Sequence, residues 1–255
     1  MLGDGSGYHY FEDINWGLVR LWKDLKGLEV LDVGCGFATT SQLLREQGNR
    51  ITGIEENPGA VEVARTRLDE VIQGNLADLE SILGRLDGRR FDAIIFADVL
   101  EHLPWPRQVL EGFLPLLKPG GSVFISLPNV GLWSVRLGLL LGRFDYQDTG
   151  VLDRTHLRFF TRKSVAGLLA AAGLEPEAWT YTPGLVRPFI PLLKRLMGGG
   201  PPDPGTPHDP RALLDSRAYG LYRRFIHPPE RLLASMLPGP FAFQMVVQAR
   251  RGPRS

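Results

Sequence analysis

The chain reads as a doubly wound α/β protein with a mostly parallel sheet, and three observations predict it. Strand-length apolar runs alternate with helical periodicity through residues 28–128, the βα rhythm of a parallel sheet. The run 91–97, FDAIIFA, is almost wholly apolar, as a central strand covered on both faces must be. Finally, the apolar segment 30–33 ends on Gly34-Cys35-Gly36, a strand-to-helix turn in which glycine lets the backbone approach a ligand.

The elements follow in order. Ile14, Leu18, Leu21, Trp22 and Leu25 recur at helical spacing and stop at Gly27, predicting an amphipathic helix over 13–26. A strand over 28–33, a helix over 40–47 ended by Gly48 and a strand over 50–54 come next. Asn57-Pro58 is a helix start, with the side chain of Asn57 as cap and Pro58 in the first turn. That helix runs to 68. A short strand near Val71, a helical turn over 79–83 and the strand 91–97 follow. A helix over 108–117 stops at Lys118-Pro119-Gly120-Gly121 and leads to a strand over 122–127. Pro128-Asn129 then breaks the order.

In the second half, 132–141 is an apolar helix too short and too arginine-flanked to cross a membrane. An irregular stretch over 142–160 precedes a helix opened by Thr161 and closed by Gly173, then a strand over 178–181. Within 183–240, the Gly/Pro-rich centre 198–210 reads as a mobile loop, flanked by helical stretches at 189–197 and 212–237. The alternation over 241–250 predicts a closing antiparallel strand near the sheet edge.

Composition bounds the class. With 255 residues, 44% hydrophobic and 22% charged, the chain suits one α/β domain with an appended lid. Its single cysteine, Cys35, excludes an intrachain disulfide and a cysteine-rich metal site. The amino end carries no basic or long apolar run, so cytoplasmic residence is the expectation. Net charge is +1, yet residues 1–128 hold 12 Lys+Arg against 19 Asp+Glu, while 129–255 hold 17 against 9. A basic second half suits an acidic or phosphate-bearing partner, although solvated arginines on lid helices account for it equally simply.

The glycine turn by itself admits two ligands. A dinucleotide fingerprint needs a third glycine, but Thr39 stands there with Ala38 before it. Asp32, two residues ahead of Gly34, would repel a pyrophosphate and suits an ammonium and a sulfonium instead. Glu55, ending the next strand, can accept hydrogen bonds from two ribose hydroxyls. The chain has no phosphate-binding GxxxxGK[ST] loop and no tyrosine followed four residues later by lysine, which counts against nucleotide hydrolysis and hydride transfer.

Four segments together resemble the class I S-adenosylmethionine-dependent methyltransferases: VLDVGCG at 30–36, ITGIE at 51–55, FDAIIFADVLEH at 91–102 and LKPGG at 117–121. The nearest likeness is to bacterial enzymes acting on small molecules or in glycan pathways, with a ubiquinone-methyltransferase-like core. The resemblance implies a Rossmann-like, seven-stranded sheet with an antiparallel last strand and a helical lid insertion. It divides a single domain into an N-terminal cap (1–27), a cofactor core (28–128), an acceptor-side insertion and sheet (129–182), a lid insertion (183–240) and a last strand with tail (241–255).

Carried over by position, the family pattern puts Asp32, Gly34 and Gly36 around the methionyl part of the cofactor and Glu55 on the ribose. It puts Asn75 near the adenine, and Ala97 and Asp98 beside the sulfonium, with Cys35, Glu56, Leu76 and Val99 as further expected cofactor contacts. Asn75 replaces the usual acidic residue, and Ala38 a common glycine. S-adenosylhomocysteine would be the product.

DRTHLRFFT at 153–161 resembles a stretch of the bacterial enzymes, as does FAFQ at 241–244. His156 is the preferred general base, with His102 the second candidate, since imidazole titrates near neutral pH. A loop-anchoring histidine is the competing account. Asn129, Tyr146, Arg154 and Arg158 are the expected acceptor contacts, and Tyr8, Tyr10, Phe11 and Trp16 candidate lid residues.

Asp98, Glu101 and His102 would share one face of a helical turn and could hold Mg²⁺ or Mn²⁺, but a metal is not favoured. The leading function is O-methylation of a small molecule: a glycan precursor, a polyketide or other secondary metabolite, or a quinol. The alternatives are an RNA-directed 2′-O-methyltransferase using that metal site, and a cofactor-binding protein without turnover. No nucleic-acid partner is favoured, because aromatics are not interleaved with the basic residues, and a monomer or homodimer is expected.

Overall fold

In the computed structural model, residues 14–22, 25–189 and 220–252 are described. Seven strands form one sheet: β1 (Glu29–Val33), β2 (Arg50–Glu55), β3 (Glu70–Gln73), β4 (Phe91–Ala97), β5 (Leu117–Pro128), β6 (Leu174–Pro183) and β7 (Ala242–Arg251). Their order is β3-β2-β1-β4-β5-β7-β6. The first five run parallel, and β7 pairs antiparallel with both β5 and β6. The final strand is therefore antiparallel as expected but lies inside the sheet. β6 takes the edge, because β7 hydrogen-bonds on both sides.

Helices cover both faces. On one lie α1 (Trp16–Leu21), α2 (Thr39–Glu46) and α3 (Pro58–Arg67); on the other lie α4 (Leu79–Arg85) and α5 (Pro106–Phe113). α7 (Arg162–Ala171) and α8 (His227–Met236) extend the second layer, while α6 (Trp133–Leu140) and the short α9 (Pro238–Phe241) gather beyond β5. The strand period of two makes the separation sharp. Val30, Ile95, Phe124 and Val246 pack with Leu18, Trp22 and Leu44, whereas Leu31, Ile94, Phe96 and Ile125 pack with Ile82, Leu110, Phe113 and Leu169. Truncating such a residue to alanine costs about 2–5 kcal/mol through lost transfer energy and cavity formation.

Local chemistry sets the helix ends. Asn57 Oδ1 accepts the Ala60 N–H at 3.0 Å, and Thr161 and Ser164 form a capping box at the start of α7. α1 is shorter than its apolar spacing predicts, and Asn15 Oδ1 caps it through the Leu18 N–H at 3.2 Å. The expected 108–117 helix begins earlier, at Pro106, and tightens into a 3₁₀ turn at Leu114–Leu116 before β5. The segment before α8 winds as a π-helix over Tyr222–Ile226. Of the expected helix at 189–197, Phe189 ends a 3₁₀ turn over Arg187–Phe189 and the rest lies outside the described residues, as do the Gly/Pro-rich loop, the start of the 212–237 stretch and Tyr8, Tyr10 and Phe11.

Candidate active site

The strand order reverses between β1 and β4, so their carboxyl ends open a crevice that neither crossover helix fills. A cleft of about 680 Å³ lies there, lined by the Gly34 to Gly36 turn, Glu55, Asn75 to Ala77, Ala97 to Val99 and His102. Its outer mouth is formed by Pro104, Trp105 and Gln108, ahead of and along α5.

Backbone geometry builds the donor end. Gly34 has φ +73°, and a Cβ there would stand 2.6 Å from Cγ2 of Val99, so only glycine admits this approach of the β1 turn to the β4 end. Gly53 on β2 leaves similar room: its Cβ would meet Cys35 Sγ at 2.7 Å. Cys35 thus packs against β2 as a small, half-buried group, and desolvation raises its thiol pKa well above the ordinary value. Glu55 braces the turn. Its Oε2 accepts the Gly36 N–H at 2.9 Å, and its Oε1 accepts the N–H groups of Glu56 and Asn57, each at 2.9 Å.

Asp32 lies beneath the turn, buried, with the Ser41 hydroxyl donating to Oδ2. Its Oδ1 is buried and has no hydrogen-bond partner. Burial pushes its carboxyl up to about 6, against the opposing pull of Ser41. An unpartnered carboxylate oxygen in a cleft that also carries the Glu55 carboxylate fits a cationic donor such as S-adenosylmethionine. It would disfavour a pyrophosphate. Asn75 turns its Oδ1 to the Ala77 N–H at 2.7 Å, and both residues line the cleft.

Asp98 departs from the helical-turn expectation. It adopts the left-handed region, φ +55°, which a short polar side chain tolerates better than most. Its carboxylate accepts Gln244 Nε2 at 2.8 and 2.7 Å and Asn15 Nδ2 at 3.4 Å. Burial raises its pKa, and the hydrogen bonds from Gln244 and Ser126 oppose that rise. The grouping of Asp98 with Glu101 and His102 on one face is thus corrected. The 3₁₀ turn Leu100–His102 starts after Asp98 and faces the 153–161 segment.

The Glu101 carbonyl accepts the N–H groups of Leu157 and Arg158, at 2.8 and 3.0 Å, which brings His156 beside His102. The two rings meet edge to face with centroids 4.8 Å apart. Nδ1 of His102 lies 3.2 Å from the Thr155 carbonyl, and Nδ1 of His156 lies 3.1 Å from the Val151 carbonyl. With Nδ1 donating in each case, Nε2 carries the lone pair. Burial and the neighbouring His156 depress the His102 pKa to about 4, so the ring is neutral at physiological pH. His102 lines the cleft; His156 stands behind it. The loop-anchoring account of His156 is met as well, through Val151.

Glu101 is 1% exposed, and neither carboxylate oxygen has a hydrogen-bond partner. Burial, with Asp98 and Asp153 nearby, raises its pKa well above the ordinary carboxylate value. One ligand atom from each of Glu101, His102 and His156 lies within 4.8 Å of the others.

The predicted acceptor contacts divide. Tyr146 is exposed and joins Phe144 and Phe159 in an aromatic cluster that continues to His156, edge to face except for the tilted Tyr146–Phe159 pair. Arg158 lies over the Trp105 ring and donates to the Pro104 carbonyl at 2.7 Å, framing the cleft mouth. Arg154 is exposed and pairs with Asp148 at 2.5 Å. Asn129 is corrected. It is fully buried, its Nδ2 donating to the carbonyls of Pro238, Gly239 and Ala242 and its Oδ1 accepting the Gly131 N–H, so it ties α9 to the end of β5. Asn15, Ser41 and Gln244 were missed, since their roles arise across strands and no local spacing announces them.

A family model described as a methyltransferase domain matches residues 7–178. A ubiquinone biosynthesis O-methyltransferase from Xylella fastidiosa is 32% identical over 188 residues, covering 69% of this chain and 76% of that protein. The enzyme of the same name from Idiomarina loihiensis is 29% identical over 181 residues, with 69% and 74% covered. One from Coxiella burnetii is 37% identical over 108 residues, where the chain spans only 45% of its relative. Among solved structures, an Archaeoglobus fulgidus SAM-dependent methyltransferase superposes with a TM-score of 0.55 at 15% identity, covering 91% of this chain and 89% of the other. Magnesium protoporphyrin IX methyltransferase from Synechocystis with bound S-adenosylhomocysteine gives 0.53 at 15% identity, with 93% and 79% covered. Both likenesses bear on the fold. With the family model spanning well over half its length, this chain belongs to the class I S-adenosylmethionine-dependent methyltransferases.

Proposed function

We propose that this chain transfers a methyl group to a hydroxyl of a small-molecule acceptor, and that the acceptor enters past Trp105, Arg158 and the aromatic cluster of Phe144, Tyr146 and Phe159. The observation that carries the reading is the neutral His102 ring on the cleft wall, backed by His156. The ubiquinone-pathway names of the relatives support oxygen as the acceptor atom. S-adenosylmethionine supplies the methyl as a sulfonium electrophile. The acceptor oxygen forms the new O–C bond as the C–S bond breaks and its electron pair goes to sulfur. The hydroxyl proton passes to the imidazole pair.

The protein's own contribution is positioning and water exclusion, worth up to about 7–11 kcal/mol when a bimolecular step becomes effectively unimolecular. Asp32 faces the donor's ammonium end, Glu55 holds the ribose and the glycine turn together, and Ala97 to Val99 shape the wall beside the transferred group. A glycan precursor, a polyketide or a quinol suits the cleft, and a phosphate-bearing one suits the basic second half.

The unpartnered Glu101 carboxylate favours a second, compatible reading. One carboxylate and two imidazoles with open positions form a donor set for a borderline divalent cation such as Mn²⁺, Co²⁺ or Zn²⁺. A cation bound there would lower the pKa of an acceptor hydroxyl. Two measurements test these readings. Isothermal titration with S-adenosylhomocysteine tests the donor site, and mass spectrometry of metabolite extracts incubated with methyl-labelled donor tests transfer. Absence of any labelled product would count against turnover. For the cation, titration of MnCl₂ and ZnCl₂ into chelator-stripped protein should give a stoichiometric site that Glu101→Gln removes.

A further inference from the structure

One polar cluster at the carboxyl end of the sheet joins residues from α1, α2, β5, β6 and β7 to Asp98 at the end of β4. Gln244, on β7, stands opposite Pro128 of β5 on one side and Thr182 of β6 on the other. Its Oε1 accepts the Thr182 hydroxyl at 3.2 Å, which fixes the amide orientation and turns Nε2 toward Asp98. Nε2 then reaches both Asp98 oxygens, at 2.8 and 2.7 Å. From the other side comes Asn15, the cap of α1. Its Nδ2 donates to Ser126 Oγ at 3.0 Å and to Asp98 at 3.4 Å, and its backbone N–H donates to Thr40 Oγ1 at 3.0 Å, at the start of α2. The Asp98 N–H is shared between the Ser126 carbonyl and hydroxyl, at 3.2 and 3.1 Å.

This arrangement acts on the donor turn by contact. Asp98 turns through left-handed backbone, a conformation that persists only where surrounding bonds over-determine it. The next residue, Val99, fills the space that the missing side chain of Gly34 leaves. Wherever Asp98 moves, Val99 moves against the glycine turn.

We propose that Gln244 and Asn15 are positioning residues for the donor: they hold Asp98 in the one conformation that seats Val99 on Gly34, and so couple β7 and α1 to S-adenosylmethionine affinity. The proposal rests on the donor assignment above. A strand and a helix from opposite ends of the chain share this work.

The test is the affinity of the full chain for S-adenosylhomocysteine, with the thermal midpoint measured on every variant. Gln244→Ala and Asn15→Ala should each weaken binding about tenfold, the loss of one charge-assisted hydrogen bond. Gln244→Glu sets two carboxylates against each other and should weaken it about a hundredfold. The swap Asp98→Asn with Gln244→Glu restores an amide against a carboxylate, and asparagine also tolerates the left-handed backbone, so affinity should recover about tenfold from the level of Gln244→Glu alone. Wild-type affinity in both alanine variants would overturn the proposal. So would a swap that binds no better than Gln244→Glu alone, because a merely structural role gives no reason for rescue. A wild-type chain that binds no S-adenosylhomocysteine would instead bring down the donor assignment itself, an outcome distinct from either.

Discussion

His102 and His156 meet edge to face with centroids 4.8 Å apart, and the Glu101 carbonyl, bonded to the N–H groups of Leu157 and Arg158, holds them so. One backbone acceptor thereby unites a turn after β4 with a loop after β5. The pair is the only grouping of imidazoles among the described residues that touches the cleft.

Removing the rear ring should separate transfer from donor binding. His156→Ala is expected to lower labelled-methyl transfer by about 10- to 10²-fold, less than the roughly 10²- to 10⁴-fold of a lost general base, because the rear ring acts on the proton through His102. S-adenosylhomocysteine affinity should change less than about threefold, since His156 is not on the donor wall. Product formation at the wild-type rate would exclude a role for His156 in proton removal.

Asp32 links function to stability through pH. Its folded pKa of about 6 lies above the ordinary value of 3.8, so the folded chain holds the extra proton between those limits. Stability of the donor-free protein is therefore lost as pH rises through that window, and above it the cost is about 3 kcal/mol. His102, depressed to about 4, works in the opposite direction, gaining stability as pH rises from about 4 to 6.5. The clean readout is the difference between wild type and Asp32→Asn in urea denaturation from pH 4 to 8. Asp32→Asn should be the more stable above pH 6 and bind S-adenosylhomocysteine about a hundredfold more weakly, through its missing charge. Parallel pH profiles for the two proteins would contradict the burial account.

Glu55 organises the glycine turn. Because Oε2 and Oε1 take N–H groups from Gly36, Glu56 and Asn57, Glu55→Ala should cost about 1–3 kcal/mol of stability in addition to donor affinity. Chemical denaturation without ligand checks the first part. A loss confined to affinity would mean that the glycine turn stands without this carboxylate.

Ala38 caps α2 at φ +56°, a backbone that glycine adopts freely. Ala38→Gly should relieve up to about 1 kcal/mol of strain, partly offset by the greater freedom of glycine in the unfolded chain. A thermal midpoint raised by a few degrees is the expected result, and a fall would show that the left-handed alanine carries no strain.

Much of the donor half was legible because its signals are local. Gly34, Glu55 and the Asn57-Pro58 helix start lie next to the elements they shape, and FDAIIFA at 91–97 declares a strand covered on both faces. The second half of the chain was less legible. Asn129 read as an acceptor contact, whereas three carbonyls brought from 238–242 bury it as an anchor. Asp98 read as part of a helical turn, whereas its left-handed backbone swings the carboxylate to Gln244.

By itself, then, the amino-acid sequence determined the alternation of strands and helices, the glycine turn and the acid at the end of β2, since periodicity and neighbouring residues are short-range properties of a chain. Only the tertiary structure decided that β7 slips between β5 and β6, that Gln244 and Asn15 converge on Asp98, and that Glu101, His102 and His156 share one buried corner. Those relations depend on which distant segments pack together, and packing is settled by the whole core at once, with no trace in the spacing of any one segment.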